Sequence, residues 1–283
     1  MTDGAPPEAE IAPRREAEGA GRHASLPGTT RTVLWGLAFY AAAQLAGSFL
    51  AKNSVAAAAV QAAIAEWGAG RMGISWSEQA ESPPHWKELA SRAGRGAGLG
   101  MGVGALVVVF VLLTRAATLA PNAPLVAQLV VGLLAAALAS VRDELLLRGV
   151  VLHALEGWAT VPLRIAACGG AAAAASFGAG HANPLELAVA ALSGAALGAV
   201  WLYDRGAWMA VGAHAAWSWT TGTLVRGGLL DVRARPGAWG GGDAGLQGSG
   251  AVAVVLGLVV AAAAVWVTRS RRGTSARAHR GAP

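Results

Sequence analysis

Three groups of residues place reactive side chains where the sequence is otherwise apolar. The first is Asp143 and Glu144, followed by three leucines, Arg148 and Gly149, directly continuing an apolar run. On a helix Glu144 and Arg148 share a face, with Asp143 about 100° round from Glu144, so two carboxylates and a guanidinium converge near one helix end. The second is Phe177 and His181, followed by Asn183 and Pro184. The third is His214 and Ser218, one helical turn apart in the middle of another apolar run. Together they supply a carboxylate base, a second acid, two imidazoles and hydroxyl or indole donors, the inventory for activating a water and stabilising an oxyanion. Each group alone also has a plain structural account: an ion pair at a helix end, a loop or capping histidine, and a hydrogen bond between helices.

The elements that carry these residues read as membrane spans. The 283 residues are 54% hydrophobic and 13% charged with mean hydropathy +0.47, about half the charge share of roughly 25% found in soluble domains. Apolar runs fall at 33–50, 98–114, 124–141, 165–180, 185–203, 207–224 and 250–267, each near the roughly 20 residues that cross a bilayer as a helix. An ionisable side chain in such a helix costs about 2.5 to 3.5 kcal/mol on insertion scales, which marks the three groups as functional candidates. The run at 54–67 is shorter and rich in alanine, consistent with a thin span, a re-entrant piece or an interfacial helix.

The expected fold is therefore an all-α polytopic membrane bundle of seven or eight spans. Residues 1–31 form a polar tail, 32–267 the membrane domain and 268–283 a basic tail. Arginines crowd both tails, which places both termini in the cytoplasm by the positive-inside bias, requires an even number of spans and favours eight, with 54–67 as the second. The segment 142–164 then lies on the cytoplasmic side and the glycine-rich stretch 226–250 on the other. The net charge of +6 resides in tails and short loops, so no nucleic-acid partner is expected. Cys168, the single cysteine, sits among alanines and glycines and reads as a small buried hydrophobe; Gly194 and Gly198 form a GxxxG pair.

In this order and at these intervals, the three groups resemble the motifs of the CPBP family, the CAAX proteases and bacteriocin-processing enzymes, whose pattern is EExxxR, FxxxH and HxxxN or HxxxH. The resemblance covers roughly residues 124–267, and Gly149, the small residues before Phe177 and the surroundings of His214 extend it. It implies an intramembrane endopeptidase of the inner membrane acting on a membrane-anchored or C-terminally processed protein. By the same resemblance Asp143 and His181 activate a water, His214 and Ser218 serve the oxyanion, and Glu144 and Arg148 orient the site or the substrate end. Aspartate at 143 is one methylene shorter than the family's glutamate and serine at 218 shorter than asparagine, so Glu144 is the alternative base.

Two histidines with carboxylates also suit a zinc site with an open water position. The HExxH motif is absent, and the resemblance implies carboxylate-activated water, so no cofactor is expected while a divalent metal such as zinc stays open. Among other intramembrane proteases, Tyr203-Asp204 with Asp243 spells presenilin-like letters without a following PAL motif, and Ser193-Gly194 resembles the rhomboid serine with Ala191 where glycine belongs. From different classes come a catalytically degenerate scaffold or regulator of the same fold and a small transporter, which the absence of repeated halves disfavours.

Overall fold

The computed structural model describes residues 26–77, 85–120, 122–123, 125–241, 245–246 and 248–280. The chain is built of helices: α1 (Leu26–Phe49), α2 (Ser54–Met72), α3 (Trp86–Leu113), α4 (Val126–Asp143), α5 (Val150–Ala154), α6 (Val161–Gly178), α7 (Pro184–Asp204), α8 (Ala207–Trp219) and α9 (Gly250–Arg280). Two π-helical turns interrupt this order, Glu144–Gly149 between α4 and α5 and Thr220–Leu224 after α8. Among the described residues, five helices, α1, α3, α6, α7 and the start of α9, are long and apolar enough to cross a membrane.

The distribution of side chains is that of a protein in lipid. Leu34, Leu37, Leu106, Leu134 and Leu258 face outward, while Glu144, Arg148, Arg92, Arg164 and Ser140 are buried. Water would reverse that arrangement; hydrocarbon favours it, because polar groups must find their partners inside the bundle.

Several boundaries differ from those read in the sequence. The short alanine run at 54–67 belongs to α2, which continues to Met72. Asn53 caps its start by accepting from the Ala56 N–H at 3.0 Å, and Gly73 closes its end at φ 74°, returning its N–H to the carbonyls of Ala69 and Gly70. Ala58, Ala62, Ala65 and Ala69 give α2 one smooth buried face, which apolar length alone did not reveal. Asn53→Ala is expected to lower the thermal stability of the purified protein by about 1 kcal/mol, the usual worth of such a cap, measurable as a small fall in melting temperature.

At the ends, α1 begins at Leu26 and α9 runs to Arg280, so residues 26–31 and 268–280, expected in tails, have helical backbone. α8 is 13 residues long, roughly 20 Å of α-helix, and its run is completed by the π-helical turn. The glycine-rich stretch after it holds an unexpected strand, β2 (Asp231–Ala234), antiparallel to β1 (Ala117–Ala120) in the register Ala117↔Ala234 to Ala120↔Asp231.

Small residues set the helix spacing. A Cβ at Gly198 would lie 2.8 Å from the Cβ of buried Cys168, so the Gly194/Gly198 pair closes α7 onto α6. A longer stripe, Gly96, Gly100 and Gly104, faces α8 and its π-helical extension: Cβ atoms there would strike the carbonyl of Met209, the carbonyl of Ala213 and the side chain of Thr220. On the other side of that seam, Gly212 lies against the backbone of Ala93. The backbones of α3 and α8 therefore touch, and this contact fixes the height and rotation of the helix that carries His214.

Candidate active site

The first π-helical turn continues α4 without a break, but each of its turns is one residue wider than an α-helix. Such insertions recur at functional sites. Here the turn presents Glu144 and Arg148 inward, with Gly149 at its end packed closely against Ile74 and Trp201. Glu144 is 0% exposed. Its Oε1 lies 2.9 Å from His214 Nδ1, reached across from α8, and 3.4 Å from a terminal nitrogen of Arg148.

This is a closed electrostatic unit. An ionised carboxylate cannot stand alone in a low-dielectric interior, and here it is balanced by the guanidinium one turn away. The contact from Nδ1 fixes the imidazole: with Nδ1–H donating to Glu144, the opposite ring nitrogen, Nε2, is the one left for substrate. Glu144 Oε2 and two of the Arg148 nitrogens, Nε and the one facing Glu144, are buried without a hydrogen-bond partner among the described residues. The Arg148 pair is thus an ion pair rather than a hydrogen bond, and the site retains polar capacity.

Asp143 sits at the opening of this unit. Its side chain is 17% exposed, and Oδ1 accepts from Arg142 Nε at 2.6 Å. The structure thus joins Glu144, Arg148 and His214 directly, with Asp143 next to Glu144 in the chain and paired to Arg142. Ser218, half-buried, lies one turn after His214 on the same helix.

His181 stands apart from this group. It follows α6 in a turn held by Gly180 at φ 92°, is 53% exposed, and its Nδ1 lies 3.2 Å from Glu186 Oε2 near the start of α7. Among the described residues it shares no hydrogen bond or ion pair with the other candidates. The preceding motif residue, Phe177, is also exposed.

The other protease signatures have structural occupations. Asp204 binds Arg92 Nε at 2.9 Å and the Met209 N–H, tying α7 to α3 and α8. Asp243, its would-be partner, lies outside the described residues. Ser193 donates its hydroxyl to the Ala190 carbonyl of its own helix. No three His, Cys, Asp or Glu side chains converge as a metal-ligand set among the described residues. Sequence reasoning overlooked Arg142 and its partner Gln61 on α2, at 2.6 Å from a terminal nitrogen of that arginine. A glutamine within an alanine-rich helix was the available signal.

A bundle with several spanning helices, apolar outside and charged within, defines a multi-pass membrane protein. Residues 125–220 match the family model described as type II CAAX prenyl endopeptidase Rce1-like, which is consistent with a CPBP/CAAX protease. The matched stretch runs from the start of α4 to the beginning of the second π-helical turn, less than half of the chain, and contains all six candidate residues. No curated protein matches the chain.

Proposed function

We propose that the chain is an intramembrane endopeptidase that cleaves a membrane-anchored or lipid-modified protein near its C-terminus, with a carboxylate-activated water. The single observation that carries this reading is the fully buried Glu144 held between Arg148 and His214, inside the stretch similar to CAAX endopeptidases. A buried ionic unit of this kind costs desolvation energy that apolar packing would avoid, and it fixes one imidazole nitrogen toward the reacting group.

In this mechanism Asp143, the more exposed carboxylate, accepts a proton from the attacking water. Its Oδ1 accepts from Arg142, while its Oδ2 takes no hydrogen bond from the described residues. Water attacks the scissile carbonyl, and the oxyanion accepts from His214 Nε2–H of the doubly protonated ring and from the Ser218 hydroxyl on the same face; the intermediate then collapses, the C–N bond breaks, and protonated Asp143 returns its proton to the departing amine. Glu144 sets one negative charge against that ring and Arg148 together, so the unit keeps one net positive charge facing the oxyanion. His181 is assigned a second contact with the water; since its ring engages Glu186, the role requires the turn after α6 to move toward α4. No cofactor is assigned. The catalytic core is residues 124–267 within a membrane domain of 32–267, crossing the inner membrane eight times with both termini cytoplasmic.

Comparison of the membrane proteome of a deletion strain with strains restored by wild-type, Asp143→Asn, His181→Ala and His214→Ala chains tests this reading. At least one membrane protein should keep an uncut terminal segment in the deletion and in the Asp143, His181 and His214 variants, and lose it on restoration with wild type. Identical termini in all strains would overturn the reading and leave a non-catalytic scaffold of the same fold. Ser218→Asn, which restores the longer amide donor, is expected to preserve or raise cleavage, measured as the rate at which the uncut form disappears.

A further inference from the structure

Resting on that reading of Asp143, we infer that Arg142 is a positioning residue for the Asp143 carboxylate, and that α1 and α2 hold it through a chain of side-chain amides ending at Tyr40. Adjacent residues on a helix point about 100° apart, so an Arg142–Asp143 contact is not automatic. It needs a third group that bends the guanidinium over its neighbour. Gln61 supplies it: its Oε1 accepts from Arg142 at 2.6 Å while Arg142 Nε donates to Asp143 Oδ1 at 2.6 Å.

The amide of Gln61 is fixed in turn. Its Nε2 donates to Gln44 Oε1 at 3.2 Å, and Gln44 Nε2 donates to the Tyr40 hydroxyl at 2.9 Å. Each glutamine therefore accepts on the side toward Asp143 and donates on the side toward Tyr40, a single polarity along the whole chain. The guanidinium also lies 6.0 Å from the Tyr40 ring centroid, within cation–π range. Gly47 on α1 leaves room for this arrangement, since a Cβ there would collide with the Gln61 side-chain amide.

An ordinary arginine at a membrane boundary would need none of this. It would extend to water and set topology. Arg142 instead spends its rigid fork on one carboxylate oxygen and one amide, holding Oδ1 and leaving Oδ2 for the water. Tyr40, Gln44 and Gln61 all lie outside the stretch similar to the endopeptidase family, so the first two helices contribute to the site geometry rather than to packing alone.

Two measurements on the purified full-length protein test the inference. The first is cleavage of a quenched fluorogenic farnesylated peptide ending in a CAAX sequence. Gln61→Leu and Arg142→Gln are expected to lower kcat about ten- to a hundredfold, as for a carboxylate displaced by a fraction of an ångström to 1 Å, with KM within about twofold. Gln61→Glu, which can still accept from Arg142, should restore most of kcat. In an Asp143→Asn background Arg142→Gln should add no further loss, because a residue acting only through another shows full coupling.

The second readout needs no turnover. Labelling by dicyclohexylcarbodiimide, an apolar carboxylate reagent, followed by mass spectrometry, should be several-fold faster at Asp143 in Gln61→Leu and Arg142→Gln than in wild type, with Glu144 labelling unchanged. Wild-type kcat and unchanged Asp143 labelling in both variants would overturn the inference while Asp143→Asn still inactivates. If Asp143→Asn cleaves normally, the reading of Asp143 as the base fails instead; if the wild-type chain leaves this peptide intact, a farnesylated CAAX peptide is not its substrate, and the membrane-proteome comparison decides the wider reading. In either case the labelling rates alone decide whether Arg142 and Gln61 hold the carboxylate: faster labelling supports the hold and equal rates overturn it.

Discussion

Glu144→Leu is expected to abolish cleavage and to destabilise the folded bundle by about 3–5 kcal/mol, the range found when one partner of a buried ion pair is removed. The reason is geometric. Glu144 is the only ion-pair partner of Arg148 and of His214 among the described residues, so the substitution strands a buried guanidinium and releases an imidazole together. Glu144→Gln separates the two effects: the amide keeps the size and can still accept from Nδ1, but the charge opposite Arg148 is lost. It should fold better than the leucine variant and remain nearly inactive. Thermal melts of the detergent-solubilised proteins give the stability order, and cleavage rates of the same samples give the function. A leucine variant that melts like wild type would mean that Arg148 finds another partner, and it would remove the electrostatic basis of the site.

The second large effect concerns a residue with no side chain. Gly100→Leu is expected to prevent assembly of the bundle, because even the first carbon of a side chain would overlap the Ala213 carbonyl, next to His214. Backbone cannot yield as a flexible side-chain tip can, so α8 would have to move outward or rotate. Gly98→Leu is the matched control, with open space at that position and the same added volume. Purified yield, monodispersity and melting temperature should fall sharply for the first variant and little for the second. Gly100→Ala is a graded version of the test: a folded protein with lost cleavage would show that the seam aims His214 as well as holding the helices together.

Much of this organisation was legible in the sequence. Membrane length and the rarity of charge within apolar runs singled out Glu144, Arg148 and His214, and the structure places these three side chains against one another. The helix after Asn53 was harder to read, because an alanine face signals close packing rather than hydropathy and gave no length. His181 was singled out by its place at the end of an apolar run and took its role from the family resemblance, and neither specifies that a glycine turn and Glu186 hold the ring at the surface. The role of Gln61 was equally hidden, since a contact between residues 61 and 142 depends on how α2 leans on α4. The Gly96, Gly100 and Gly104 stripe was visible as letters, but its meaning required knowing that α8 was the neighbour.

The widened turns at Glu144–Gly149 and Thr220–Leu224 have a bearing on how such chains should be read at all. One surplus residue advances the angular phase of everything downstream by about 100°, so the lipid-facing and inward-facing positions of α4 do not extrapolate to α5. A single uninterrupted wheel drawn across 126–154 would assign inward residues to the hydrocarbon and the reverse. Losing one leucine between Glu144 and Arg148 would relax the bulge into regular helix yet leave the acid and the guanidinium three apart on one face, so the length of that leucine triplet governs which way α5 faces rather than whether the charges meet.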